Sequence, residues 1–408
     1  MPGETGFPNP WALDPRVRRT GNTYYMANEI LVAADDAGMV GGAMRGLGAQ
    51  RTEAPDGIDE YVHRYVLPEM GDDPAAVPGV VGQLRALGNS PRVGLNHVFA
   101  ANAIPIAGQP KLHGGTATDP IPAPSPEVDA TVTDGRVVRV AVIDTGMDPA
   151  ALTLPVFYQH QRHGRHEPDA VYENPAVRRI GLMGGHGTAA AGIIARYARR
   201  AHLTSIQVLN VHGIADEWTL AAGILRARDA GAEIISMSLG GTYVGDDEPL
   251  ALKAVLDDLP AGTVVVAAAG NVDAATPNFY PASRPGVISV AAIDTTGAGG
   301  EAPATFSNTG DWITACAPGV RVHAPYVFGT WTYGTNPIDF TGAVAWSGTS
   351  FATPFVAAQI AANTTLKETC AEAADRLLGG LTQTFPGYGR YVAAPGHRLH
   401  ARGGGHQR

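Results

Sequence analysis

The 408-residue chain is short of cysteine, lysine and long apolar runs. Its two cysteines, Cys316 and Cys370, cannot build a cysteine-only metal cage or a dense disulfide framework, and leave at most one bridge. Lysine occurs only at 111, 253 and 367. With 29 Lys+Arg against 38 Asp+Glu, the formal net charge of −9 argues against a nucleic-acid phosphate backbone as partner. No stretch reaches the roughly 18 apolar residues of a membrane-spanning helix. The first 25 residues hold no apolar segment behind basic residues, so no secretory signal is visible and a cytoplasmic location is expected if Met1 is the true start. What is present is a 45% hydrophobic fraction with only 16% charged residues, enough for a sizeable core. The length calls for two domains, or for one large α/β domain with an appendage.

Residues 1–23, rich in Pro, Gly and Arg, read as a flexible arm. Over 24–100 the texture changes to strand (28–34), helix (40–47), strand (60–67), helix (77–87) and strand (92–99). That order describes a small α+β open sandwich with its helices on one face of a sheet. Prolines 105, 110, 120, 122, 124 and 126 mark residues 101–130 as an extended linker. Across 131–394, near-continuous apolar strands (138–143, 203–209, 234–238, 263–269) alternate with helical stretches (188–199, 217–230, 250–259). This is the pattern of a parallel sheet buried on both faces, in which active sites gather at the carboxyl ends of the strands. The tail, 395–408, is expected to be disordered.

Three residues stand at such places. Asp144 ends the first strand in VIDTGMD, His186 sits in GGHGT before an Ala-rich helical segment, and Ser350 lies in WSGTSFATP ahead of a helical pattern running to Leu378. Pro354 fits the first turn of that helix, where no amide partner is lost. Singly, the aspartate is ordinarily a turn former, the histidine a satisfied loop residue and the serine an N-cap. Together they supply a nucleophile, a base to take its proton and a carboxylate to hold the imidazole in one tautomer. Asn271, directly after the strand 263–269, adds a side-chain amide able to donate to an oxyanion, although Gly-Asn after a strand is also an ordinary turn.

With these residues in view, the sequence resembles the subtilisin-like serine peptidases, in which the triad has the order Asp, His, Ser. The resemblance rests on VIDTGMD, GGHGTAAAG, SMSLGG, AAAGN, APGV and SGTSFATPFVAA, collinear over about residues 135–365. It implies a parallel, seven-stranded sheet flanked by helices, and endopeptidase activity. It also implies that Asp144 orients, His186 acts as base and then acid, Ser350 attacks, and Asn271 stabilises the oxyanion with the Ser350 amide. Ser238, Leu239 and Gly240 match the edge on which a substrate pairs as an added strand, leaving selectivity to pockets. Phe279 stands where many relatives have a small residue, and is expected to make the pocket before the cut shallow. Residues 24–100, above all RVGLNHVF at 92–99, resemble the family's inhibitory propeptide. A self-capped zymogen is therefore expected, cut between Phe99 and Ile104. The N-terminal domain would be an intramolecular inhibitor and peptides or proteins the substrates. The competing reading is a silent peptide-binding pseudo-peptidase.

The family's second histidines, three residues after the base and five after the nucleophile, are here Ala189 and Phe355, an expected volume-conserving exchange. His160, His163 and His166 have spacings open to zinc, but the intervening Gly and Arg favour an exposed loop. No cofactor is required by the chemistry; the resemblance implies that structural calcium is possible, but no complete ligand loop can be read.

Overall fold

The computed structural model describes residues 10–393 apart from 55, 69, 71–72, 102–112, 116–134, 159, 161–163, 244–247, 274, 276–278, 298 and 333–336. Its centre is a sheet with the order 202–207, 139–144, 234–237, 264–268, 288–294, 315–318 and 389–391. These seven strands are mutually parallel, as expected. Short antiparallel strands, Ala302–Pro303 and Thr384–Phe385, extend it. The sequence explains the burial. Ile234–Met237 and Val264–Ala268 contain no charged residue, are buried throughout, and can lie only between two layers of helices.

Helix Thr349–Asn363 is buried along almost its whole length and packs through small residues such as Ala357 and Ala358. The helical pattern expected to run on to Leu378 is two helices. Thr364 leaves helical geometry, and Cys370–Gly379 starts afresh from a capping box in which Thr369 and Glu372 satisfy each other's backbone amides. Pro354 lies in the second turn, not the first, so its missing N–H frees the carbonyl of Ser350, which accepts from Ser238 Oγ at 2.7 Å instead. A hairpin not foreseen from the sequence, Val322–Trp331 with Ile338–Trp346, leads into this helix.

The N-terminal unit has the expected strand–helix–strand–helix–strand order: Thr23–Ala33, Ala37–Gly46, Val62–Val66, Ala76–Arg85 and Val93–Ala101. Its alternation has physical content. Ile30 and Val32 face the two helices together with Val40, Met44, Val80 and Leu84, whereas Leu31 joins the core of the large parallel-sheet unit with Ile58, Val62 and Phe99. The sandwich therefore buries both faces of its sheet. Part of the expected arm is structured, since Val17–Thr20 pairs with Thr23–Met26 and Trp11 stacks on Tyr24 with ring centroids 4.2 Å apart. Within the expected linker, the backbone of His113–Gly115 adds a strand to Ala343–Ala345. Ala101 belongs to the strand before it, and linker residues 102–112 and 116–130 and the tail lie outside the described residues. Among the described residues no helix is long and apolar enough to cross a membrane.

Candidate active site

Asp144 ends the sheet strand Arg139–Asp144, and His186 opens helix His186–Tyr197. Two glycines permit their approach. Gly185 has φ +80°, and a Cβ there would stand 2.6 Å from the Tyr326 ring, while a Cβ on Gly187 would stand 2.3 Å from the Gly146 carbonyl oxygen. His186 Nδ1 consequently lies 2.8 and 2.9 Å from the Asp144 carboxylate oxygens, with both side chains fully buried. Trp346 stands edge-on to the imidazole at 5.3 Å and Phe351 lies tilted against it at 5.4 Å.

Ser350 is the second residue of its helix, and its Oγ donates to the Ser238 carbonyl at 3.2 Å. His186 Nε2 has no hydrogen-bond partner among the described residues. The carboxylate–imidazole half of the expected triad is thus hydrogen-bonded, and the imidazole–hydroxyl half is not. Asn271 accepts from Thr349 through N–H and Oγ1, both at 2.9 Å, which fixes its amide and turns Nδ2 away as a buried donor without a partner. A Cβ placed on Gly348 would lie 3.3 Å from Asn271 Nδ2 and 3.6 Å from the Ser350 backbone nitrogen, so the two donors border one small space. An unpaired buried donor is costly unless something uses it.

Of the expected edge, Leu239 and Gly240 are occupied by the N-terminal strand, whereas Ser238 bonds Ser350. Ala101 is opposite Leu239 and Ala100 opposite Gly240, antiparallel, in the strand Leu239–Thr242. On its other side the same N-terminal strand pairs Ala100, Phe99 and Val98 with Ile214, Ala215 and Asp216. The end of the N-terminal unit is thus the middle strand of three. Phe279 is 8% exposed. A Cβ on Gly240 would stand 2.3 Å from its ring and one on Gly270 3.0 Å from it, so the ring fills the space between those two walls.

Sequence reasoning missed Asp169. It accepts from Thr145 Oγ1 at 2.8 Å and from the Gly185 N–H at 3.0 Å, while Thr145 Oγ1 in turn accepts from the Gly187 N–H at 2.9 Å. This relay ties the strand end bearing Asp144 to the helix start bearing His186. Burial, with Asp144 nearby, pushes the Asp169 carboxyl well above the usual range. The only signal in the sequence was its place in the histidine-rich loop. Of those histidines, His160 is buried against the Ala201 carbonyl, contrary to an exposed loop, His166 approaches Ser205 Oγ at 3.3 Å, and His163 lies outside the described residues. Among the described residues no group of three or more His, Cys, Asp or Glu is placed to hold a metal ion. Both cysteines are buried and unpaired. Phe355 meets Tyr197 at 4.8 Å.

A seven-stranded parallel sheet with aspartate, histidine and serine at its helix-flanked edge, in that chain order, defines the subtilisin-like class. The chain belongs to the subtilase family, whose peptidase S8 model matches residues 135–374. It is 36% identical to thermitase of Thermoactinomyces vulgaris over 183 residues, 42% of this chain and 58% of thermitase. It is 32% identical to the thermophilic serine proteinase of Bacillus sp. strain AK1 over 270 residues, 62% of this chain and 59% of that one. With subtilisin DY of Bacillus licheniformis it shares 33% over 244 residues, 57% of this chain and 78% of the relative. The matches thus span under three fifths of the length of the first two. Fervidolysin from Fervidobacterium pennivorans, described as a keratinolytic enzyme related to subtilisin, has the same fold, with a TM-score of 0.64 at 22% identity over 92% of this chain and 61% of fervidolysin.

Proposed function

We propose that the protein is a serine endopeptidase, made as a zymogen that its own N-terminal unit caps. The observation that carries the reading is the strand Val98–Ala101 lying between Ile214–Asp216 and Leu239–Gly240, beside Ser350. Peptide recognition by strand addition uses main-chain bonds of this kind, which tolerate many sequences.

In the proposed mechanism Asp144 holds Nδ1–H of His186 and leaves Nε2 as the base. Ser350 turns its hydroxyl from the Ser238 carbonyl to Nε2 and attacks the scissile carbonyl as its proton passes to His186. Asn271 Nδ2 and the Ser350 N–H receive the oxyanion. His186 then gives the proton to the departing amine, and water, deprotonated by the same imidazole, releases the acyl group from Ser350. Phe279 restricts the pocket between Gly240 and Gly270 to small or modest apolar side chains. Substrates are peptides or proteins, and the chemistry asks for no metal or cofactor.

The test is mass spectrometry with fluorophosphonate labelling of the purified full chain beside Ser350→Ala. Wild-type protein is expected to be cut between Phe99 and Ile104, a span of which 102–104 lie outside the described residues, and then to label; the variant stays whole and unlabelled. An intact, fully active wild-type chain would make the N-terminal unit an accessory domain. Absence of labelling after its removal would favour the silent peptide-binding reading.

A further inference from the structure

A buried contact in the junction between the two units joins a carboxylate to an imidazole. Glu217 opens helix Glu217–Asp229 and is fully buried, and its Oε1 accepts from the Ala251 N–H at 2.6 Å. That is the one bond which the peptidase unit itself gives this carboxylate among the described residues. Its other oxygen, Oε2, lies 2.6 Å from His97 Nδ1, and His97 belongs to the N-terminal strand that fills the cleft. Asn96, beside it, accepts from the Trp218 N–H at the same helix start. Asp216, one residue before Glu217, spends its carboxylate on Thr219 as an N-cap. The groove therefore ends against a carboxylate held in place from behind by Ala251 and answered from the front only by the strand that occupies the cleft.

A buried carboxylate without a counter-charge is costly, whereas one facing a cationic or N–H-bearing side chain gains a charge-assisted hydrogen bond. When the N-terminal strand leaves, Glu217 Oε2 is left facing the empty groove. We infer that Glu217 is a specificity-determining residue of the cleft, receiving a histidine or other cationic side chain of the substrate four residues before the one opposite Leu239, as His97 precedes Ala101. This rests on the preceding reading that Val98–Ala101 stands in the place of substrate, and extends it by one residue to His97. A side chain two residues further on, in the position of Phe99, enters the apolar surroundings that Phe99 now occupies. The preferred substrate thus carries a cation, any residue, and a large apolar residue in succession. A glutamate in the first of these positions would meet the Glu217 carboxylate.

The experiment uses the full chain, incubated until its peptidase activity is constant, and three quenched-fluorescent peptides carrying the sequence of residues 94–107. One keeps histidine at the position of His97, and the others have Ala or Glu there. A charge-assisted bond of this kind corresponds to roughly a 10-fold preference in kcat/KM for histidine over alanine, with glutamate poorer still. In Glu217→Gln the histidine-to-alanine ratio is expected to fall below about 2-fold. The wild-type ratios alone decide the matter should that variant fail to fold. Equal cleavage of all three peptides by the wild-type enzyme would overturn the role of Glu217 and leave the peptidase reading standing. Failure to cut any of them by a chain that is active on other peptides would overturn the role of Glu217, and a chain that gains no peptidase activity on incubation would overturn both.

Discussion

Glycines on the helices of the two units serve opposite ends. In the N-terminal unit, Gly38, Gly42, Gly46, Gly79 and Gly82 lie on exposed helix faces, and a Cβ at any of them would meet nothing within 4 Å. They contribute no packing and weaken their helices through the freedom they give the unfolded chain. In the peptidase unit, Gly187, Gly192 and Gly223 sit where a Cβ would stand 2.3 to 2.5 Å from Gly146 O, the Pro325 ring or Val208. There the missing side chain lets a helix touch its neighbour. On the proposed zymogen reading, the first arrangement suits a part that leans on its partner and comes away, and the second a part that holds a site to a fraction of an ångström.

The largest effect should come from the chemistry of the persistent unit. Asn271→Ala is expected to lower turnover by about 10² to 10³ with little change in KM, a magnitude carried over from subtilisin's own oxyanion asparagine. Steady-state kinetics on the processed enzyme checks it, and near-normal turnover would reduce Asn271 to a turn residue that caps Thr349. Next comes Gly187→Ala. Its added carbon displaces the helix start that carries His186, and should destabilise the peptidase unit by about 1–3 kcal/mol, the usual range for overpacking, and depress kcat more than it raises KM. Denaturant unfolding and kinetics would show whether this glycine is as closely packed as the contact implies.

Substituting the cap's glycines should act in the other direction. Gly42→Ala and Gly82→Ala are each expected to stabilise their helix by about 0.5–1 kcal/mol, read as slower amide exchange in the cap and a longer lag before activity appears. A shortened lag would break the comparison. The smallest effect is that of acid. Asp36 is held below the usual carboxylate range chiefly by its hydrogen bond from the Arg92 side chain, and Asp258 chiefly by the Tyr61 hydroxyl. A lowered folded-state pKa contributes stability that is present above the ordinary value near 4 and lost as pH falls through the folded one. Cap exchange should therefore quicken below about pH 4.

The strands of the peptidase unit were legible because strands buried on both faces must be apolar along their length, as in Val264–Ala268. The N-terminal order of elements was legible from its periodicity. The break near Thr364 was not, since the apolar pattern continues past it and only the capping box of Thr369 and Glu372 marks the new start. The hairpin 322–346 was missed because its strand signals are interrupted by Gly and Pro. Asp169 looks like any loop aspartate until Thr145 and Gly185 are brought against it.

By itself the sequence determined the kind of chemistry. Asp144, His186, Ser350 and Asn271 are recognisable because each needs a particular side chain beside particular turn and helix-start residues, and such local requirements are written contiguously. The tertiary structure decided how the cleft is filled. Only folding brings Ala100 between Ile214 and Gly240, sets the Phe279 ring between Gly240 and Gly270, and closes His97 on Glu217. Those contacts join residues up to 140 positions apart and depend on strand register and the loss of water from a buried carboxylate.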